Sequence, residues 1–160
     1  MAIRSFRVQR PNVLRSLASA VFVAVWLCLR MASSFAGDEE LSLFNSKGEP
    51  VAYIAPSEEM TIYLWDGKPV AYLDDEANVY GFNGKHLGWF VNGAIFNHQG
   101  VAECATKVRF AGYTEYEPYK SYKEYRPYRS YKEYAPYQPY LTNSFSQIPC
   151  SLFLAAGASN

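Results

Sequence analysis

The chain has 160 residues, enough for one domain or for one small domain with tails. Its 15 basic and 15 acidic residues balance overall but are segregated along the sequence. Residues 1–37 carry five arginines and no acid, residues 38–109 carry eleven acids and five bases, and residues 110–160 carry four acids and five bases. The net charge of −6 over residues 38–109 argues against nonspecific nucleic-acid binding there, because phosphate contacts dominate that affinity.

The N-terminus has the pattern of a targeting segment. Arginines precede an uncharged apolar run over residues 17–29, which predicts an apolar helix, and residues 34–36 (Ser-Phe-Ala) suit a signal peptidase. Residues 1–36 are therefore interpreted as a signal peptide or, if retained, as a membrane anchor. Either alternative predicts an exported protein, periplasmic or secreted, or a membrane-anchored one. A third alternative is that Met31 is the true start, which would leave a cytoplasmic protein.

Residues 38–109 repeat one short phrase four times. The copies read FNSKGEPVAY, WDGKPVAY, FNGKHLGW and FNHQGVAECA, with turn glycines Gly48, Gly67, Gly84 and Gly100. Asp-Gly and Asn-Gly between apolar runs are strong hairpin signals and favour type I′ turns. The sequence therefore predicts an all-β module of four β-hairpin repeats that share one core, because one hairpin cannot bury its aromatic residues alone.

The strands of these hairpins alternate in a way that predicts one buried face. The predicted incoming strands are residues 41–44, 61–65, 78–82 and 94–96. In the outgoing strands, Val51 and Tyr53 are predicted to share one face and Ala52 the opposite face. Small residues recur at the Ala52 position in the next two copies, which predicts close approach of backbones around a central axis. Residues 56–60 and 74–77 are predicted acidic surface loops.

Two longer phrases, TIYLWDGKPVAYL and NVYGFNGKHLGWFVNG, stand between LFNSKGEPVAYI and IFNHQGVA. Together they resemble the bacterial domain known as the four-fold beta flower. The resemblance covers residues 41–105 and implies a pseudo-four-fold arrangement of the hairpins, and it supplies no activity or catalytic residues to carry over to this chain. The fourth copy departs from the pattern, because VAECA lacks the aromatic residue that follows the turn in the other three copies.

The chain changes character over residues 110–141, where a tyrosine occupies every third position. These tyrosines are Tyr113, Tyr116, Tyr119, Tyr122, Tyr125, Tyr128, Tyr131, Tyr134, Tyr137 and Tyr140. A nine-residue unit underlies the spacing: EYEPYKSYK, EYRPYRSYK, EYAPYQPYL. Period three with regular prolines matches extended polyproline II and predicts a line of phenols along one edge. The alternative is a disordered low-complexity tail that arose by duplication of the unit.

The ten tyrosines are the predicted interaction residues. Phenols separated by Lys, Arg and Glu can stack on flat ligands, accept cations or form hydrogen bonds. The predicted partner is a protein or a cell-surface polymer. Nucleic acid is not expected, because the net charge of +1 over residues 110–160 gives little attraction. Residues 142–160 form a last segment, whose apolar stretch 148–156 is predicted to dock on the module or to bind a partner.

The sequence shows no catalytic, cofactor-binding or metal-ligating pattern. His86 fills the position of a proline in two other copies, which indicates a surface or packing role, and His98 lies in a turn, where exposure is expected. Turn geometry explains Asp66, Asn83 and Asn97. We therefore expect a binding or scaffolding module without catalysis. The alternatives are an enzyme whose site is assembled from the inward faces of the four repeats, and a structural cell-surface protein.

Cys104 and Cys150 are the cysteines outside the N-terminal segment. They can form a disulfide in an oxidising compartment. Cys104 also takes a repeat position held elsewhere by Ala or Gly, which predicts a small buried residue.

Overall fold

The computed structural model describes residues 39–158, which belong to one compact unit. The predicted apolar helix, with the signal peptide or anchor of residues 1–36, lies outside the described residues. Between residues 39 and 158, no helix is long and apolar enough to cross a membrane.

Eight antiparallel strands form a closed barrel in sequence order. The strands are β1 (Leu41–Phe44), β2 (Pro50–Ala55), β3 (Thr61–Leu64), β4 (Pro69–Leu73), β5 (Asn78–Gly81), β6 (His86–Val91), β7 (Ala94–Phe96) and β8 (Ala102–Thr106). The predicted hairpins are β1–β2, β3–β4, β5–β6 and β7–β8, and β8 pairs with β1 to close the barrel. The all-β prediction is therefore confirmed. Closure removes the unpaired edges that four separate hairpins would expose.

The repeated turns differ from the predicted type I′ turns. In the β3–β4 turn, the Gly67 N–H donates to the Leu64 carbonyl oxygen at 2.9 Å, and the Leu64 N–H donates to the Lys68 carbonyl oxygen at 2.9 Å. These bonds enclose three residues, of which Gly67 has a φ of +91° while Asp66 keeps a negative φ. The turn is thus a type I turn followed by a glycine bulge. The type I′ prediction for the repeated turns is therefore wrong, whereas Asn92-Gly93 between β6 and β7, for which no turn was predicted, has the positive φ at both residues that a type I′ turn requires.

A β-bulge in every hairpin changes which side chains share a face. In the first hairpin Leu43 pairs with Ala52 and Phe44 pairs with Pro50, so Val51 is an extra residue on β2. Val51 packs against the core cluster that contains Ala52, whereas Tyr53 lies in a separate cluster. The prediction that Val51 and Tyr53 share a face is therefore wrong, because the extra residue breaks the alternation of the strand.

Aliphatic side chains fill the interior of the barrel. One cluster joins fully buried residues from five strands: Leu43, Ile54, Ile62, Val79 and Ile95. The helix α1 (Cys150–Ala155) adds Cys150 and Leu154 to this cluster, which confirms the predicted docking of residues 148–156. A Cβ on Gly88 would overlap the carbonyl oxygen of Phe96 on the adjacent strand β7, so this close approach is between neighbouring strands and not around the predicted central axis.

A disulfide joins Cys104 of β8 to Cys150 of α1, with 5.5 Å between the two Cα atoms. Both cysteines are buried. Cys104 is thus at once the small buried residue of the fourth copy and a crosslinked cysteine. The bond ties α1 covalently to the barrel.

Candidate functional site

The tyrosine-rich segment runs in an extended conformation along the barrel, and we call residues 113–142 the girdle. Backbone N–H groups of the girdle donate to the carbonyl oxygens of the four turn glycines at 2.8 or 2.9 Å. The pairs are Glu115 to Gly48, Glu124 to Gly67, Glu133 to Gly84 and Thr142 to Gly100. The donors are nine residues apart, so one nine-residue unit of the girdle spans the distance from each hairpin to the next.

Serine residues of the unit make a second set of backbone contacts. The Ser121 N–H donates to the Trp65 carbonyl oxygen at 3.3 Å, and the Ser130 N–H donates to the Phe82 carbonyl oxygen at 2.8 Å. Pro127 lies between the donors Glu124 and Ser130, at a position whose backbone makes no hydrogen bond to the barrel, so the missing N–H of proline is tolerated. Backbone groups therefore set the register of the girdle on the barrel.

All ten tyrosines of the girdle face solvent. Their exposure ranges from 85% at Tyr113 to 101% at Tyr119, Tyr131 and Tyr137. One residue in three thus points outward, as the three-residue period predicts. The segment is packed on the barrel, unlike the disordered tail of the alternative interpretation.

In the middle of the girdle, the residues that directly follow a tyrosine contact the barrel. Five of these residues are basic: Lys120, Lys123, Arg126, Arg129 and Lys132. Lys120 Nζ lies 4.6 Å from the Tyr53 ring centroid and 2.9 Å from Glu40 Oε2. Lys132 Nζ lies 4.9 Å from the Tyr80 ring centroid and 3.2 Å from Asp74 Oδ2. The cations therefore cover outer aromatic side chains of the barrel and pair with its acids.

These ion pairs explain the charge segregation of the sequence. Burial alone would raise the pKa of Glu40, but the ammonium groups of Lys123 and Lys120 outweigh it and hold the pKa below its usual value. Arg126 likewise lowers the pKa of Glu59, in the predicted acidic loop 56–60. The girdle thus supplies counter-charges to an acidic barrel. Sequence reasoning missed this role, although the signal was present: the five bases share one place in the three-residue period.

An open cleft of about 730 Å³ lies along the girdle where it passes from the second hairpin to the third. Tyr63 and Phe82 line it together with charged side chains. Those charges are paired, since Arg126 Nη1 lies 3.2 Å and Arg129 Nη2 lies 3.1 Å from Glu59 Oε2. The cleft therefore lies between girdle and barrel, and its two arginines are already paired with Glu59.

Residues 41–154 match the family described as 4-fold beta flower protein. The chain belongs to this family. The match confirms the resemblance drawn from the hairpins and extends past them, through the girdle of the beta flower to α1. No curated protein and no solved structure matches the chain.

The two histidines of the beta flower lie side by side. His86 Nδ1 is 2.8 Å from His98 Nε2, and the rings of Tyr80 and Trp89 pack edge-on against His86. His86 is buried and His98 is exposed, as expected of a packing residue and a turn residue. Burial and, second, the neighbouring His98 lower the pKa of His86 to about 4. Across residues 39–158, no group of three or more His, Cys, Asp or Glu is placed to hold a metal ion.

The other polar residues singled out in the sequence serve the turns. The Asn83 side-chain oxygen accepts a hydrogen bond from the Lys85 N–H at 3.1 Å. Asn97 does more, because its Nδ2 donates to the buried carboxylate of Glu103 at 2.6 Å. Glu103 takes the bulge position that Val51 holds in the first copy, and burial raises the pKa of Glu103. The fourth copy therefore departs from the others at a second position, where a buried acid replaces an aliphatic residue, besides lacking the aromatic residue after the turn.

We expect His86 to make the folding stability of the beta flower pH-dependent above the range in which carboxylates titrate. Its pKa is about 4 in the folded protein and about 6.5 when unfolded, so its contribution is complete above pH 6.5 and falls as the pH drops from 6.5 towards 4. Urea unfolding at about pH 7.5 and about pH 5 should show this loss in the native protein and a smaller loss in His86→Gln. Equal losses in both proteins would contradict the assignment.

Proposed function

We propose that the beta flower is a non-catalytic binding or scaffolding module whose girdle presents ten tyrosines to a partner. The observation that carries the proposal is the outward position of all ten phenols, each at least 85% exposed. The barrel buries its own tyrosines, such as Tyr53 and Tyr63, whereas a phenol in solvent adds little to folding. Many exposed aromatic side chains on one segment are typical of an interaction site.

The attachment of the girdle supports the same proposal. Backbone hydrogen bonds to all four turns fix the backbone that carries the phenols before a partner arrives. Binding to such a surface costs less conformational entropy than binding to a free tail, because little chain remains to be ordered. The girdle is thus a pre-organised surface.

The filled interior favours a binder over the alternative of an enzyme site built from inward faces. Inward positions carry aliphatic side chains, and Leu154 of α1 packs into the same cluster. His86, the histidine that an enzyme would use, packs among aromatic rings outside this cluster. Because side chains fill the barrel interior, binding is expected on the outer surface of the barrel.

The disulfide supports the predicted export or membrane anchoring. Disulfides persist in oxidising compartments and are rare in the cytosol, and the Cys104–Cys150 bond ties the last helix to the barrel. We therefore propose an extracytoplasmic location. Free Cys104 and Cys150 thiols, trapped by alkylation during isolation from cells, would argue for the cytoplasmic alternative.

Replacing five alternate tyrosines by Ser should weaken partner binding while leaving the fold intact. The variant changes Tyr116, Tyr122, Tyr128, Tyr134 and Tyr140, and each lost aromatic contact removes on the order of 1 kcal/mol. Binding is measured with microcrystalline cellulose, single-stranded DNA, phosphatidylglycerol vesicles and, by sedimentation, the protein itself. The melting temperature should not change, because the phenols are exposed.

The matched control replaces the same five residues by Phe, which keeps the aromatic rings. Tyrosine-dependent binding to any one of the four probes would support the proposal. It would fail if the native protein, the Ser variant and the Phe variant behaved alike with every probe.

A further inference from the structure

The outer face of the girdle offers phenols and carboxylates but little free positive charge. The five basic residues of the girdle are paired with barrel carboxylates at 2.8 to 3.6 Å, although the side chains of Arg129 and Lys132 remain 36% and 46% exposed. Glu115 and Glu124 are exposed. Residues 39–158 contain 14 acids and 10 bases, a net charge of −4. This balance would repel a partner rich in phosphate or sulfate, so it favours an uncharged partner over an anionic one.

The tyrosines are spaced to meet an extended polymer. Consecutive phenols are three residues apart on an extended backbone, which separates them by about 9 Å. Each phenol combines a flat apolar face with a hydroxyl at its edge. A pyranose ring offers the complementary pair, an apolar C–H face with hydroxyls around its rim. A flat β-1,4-linked chain repeats that face along a line, so one chain can contact several consecutive phenols.

The path of the girdle sets how many phenols one polymer can reach. Because the girdle visits the four hairpin turns in order around a closed barrel, its tyrosines point in different directions. A straight chain can contact only one arc, such as Tyr125 and Tyr128 between the second and third hairpins. The remaining arcs are free for further chains, and several weak contacts combine into a stronger one.

We infer that the girdle binds uncharged β-1,4-linked polysaccharide and joins separate chains of it. The inference rests on the proposed function and names its partner class. The ring faces of the tyrosines supply the contact, and their hydroxyls add hydrogen bonds. The inward cations take no part, because each already has a carboxylate partner.

Binding isotherms on cellulose and chitin powders test the inference with the full-length protein. We expect the native protein to bind, the five-Ser variant to bind at least about tenfold more weakly, and the five-Phe variant to stay within about threefold of the native protein, because stacking remains. Sodium chloride between about 0.05 and 0.5 M should change the affinity little, since the contacts are not ionic. Soluble hexamers of either sugar should compete.

Anionic probes are included because Lys47, Lys68 and Lys85 are exposed on turns beside the girdle. If tyrosine-dependent binding occurs with vesicles, DNA or a second copy but with neither powder, the inference fails and the proposed function stands. Equal binding of the native and Ser proteins to the powders also overturns the inference. If the five-Ser variant melts at a lower temperature than the native protein, the double variant Tyr125→Ser with Tyr128→Ser tests one arc instead. Unchanged binding of a soluble hexamer after each arc in turn has lost its tyrosines would again overturn the inference.

Discussion

Replacing Gly67 by Val should lower the free energy of unfolding by roughly 3 kcal/mol, one of the largest effects expected of a single substitution in this protein. Gly67 has a φ of +91°, which a β-branched residue adopts only under strain. A Cβ at this position would also overlap the carbonyl oxygen of Tyr122 in the girdle. The substitution therefore disturbs both the turn and the seat of the girdle, and urea unfolding measures the loss.

Two further substitutions test whether the loss comes from the positive φ of Gly67. One is a control in the same turn, and the other is the converse change in the loop between β4 and β5. Lys68→Val places the same side chain on the next residue, which is exposed, and should change stability little. Ala77→Gly relieves a non-glycine residue at a φ of +61° and should gain about 0.5 kcal/mol. A Gly67→Val protein with an unchanged unfolding midpoint would mean that the turn in solution differs from the one described.

Truncation after Arg109 should leave the barrel unable to fold cooperatively. The deletion removes Cys150 and Leu154 from the core and strips the cations from Tyr53 and its neighbours. Loss of the disulfide alone typically costs about 2–5 kcal/mol, against a total stability of about 5–15 kcal/mol for a domain of this size. Dye binding to exposed aromatic surface and loss of a sharp thermal transition would report the effect.

The full-length double variant Cys104→Ala with Cys150→Ala is the matched control for the truncation. It removes the crosslink but keeps α1 and the girdle, so we expect a folded protein of intermediate stability. If the truncated protein unfolded as sharply and at the same temperature as the native one, the packing of the girdle on the barrel would be contradicted.

The hairpins could be predicted from the sequence because turn chemistry is local. Gly67 and Gly84 follow Asp or Asn between apolar runs, and this pattern alone marks a hairpin. The bulge at Val51 could not be predicted, because VAY alternates equally well with or without an extra residue opposite it. The turn type was missed for a related reason: Asp-Gly is compatible with a two-residue and with a three-residue loop.

For the girdle, the sequence predicted which side chains are exposed but not where the segment binds the barrel. Its three-residue period predicted outward tyrosines, and all ten are exposed. Its seat on the barrel was not predicted, because the bonds that fix it join the backbone N–H of residues such as Glu124 to the carbonyl oxygen of Gly67, and backbone groups are the same at every position. The nine-residue unit carried the missing information, since it repeats once for each hairpin.

The disulfide between Cys104 and Cys150 has a topological consequence. It closes a covalent loop whose ends are 46 residues apart in the chain, and the girdle is the main part of that loop. The girdle is therefore part of a closed covalent loop that begins and ends in the barrel core. A protease that cuts a single peptide bond of this loop releases no fragment, because the two new ends stay joined through the disulfide. Detaching the girdle requires either a second cut within the loop or a reductant in addition to the first cut.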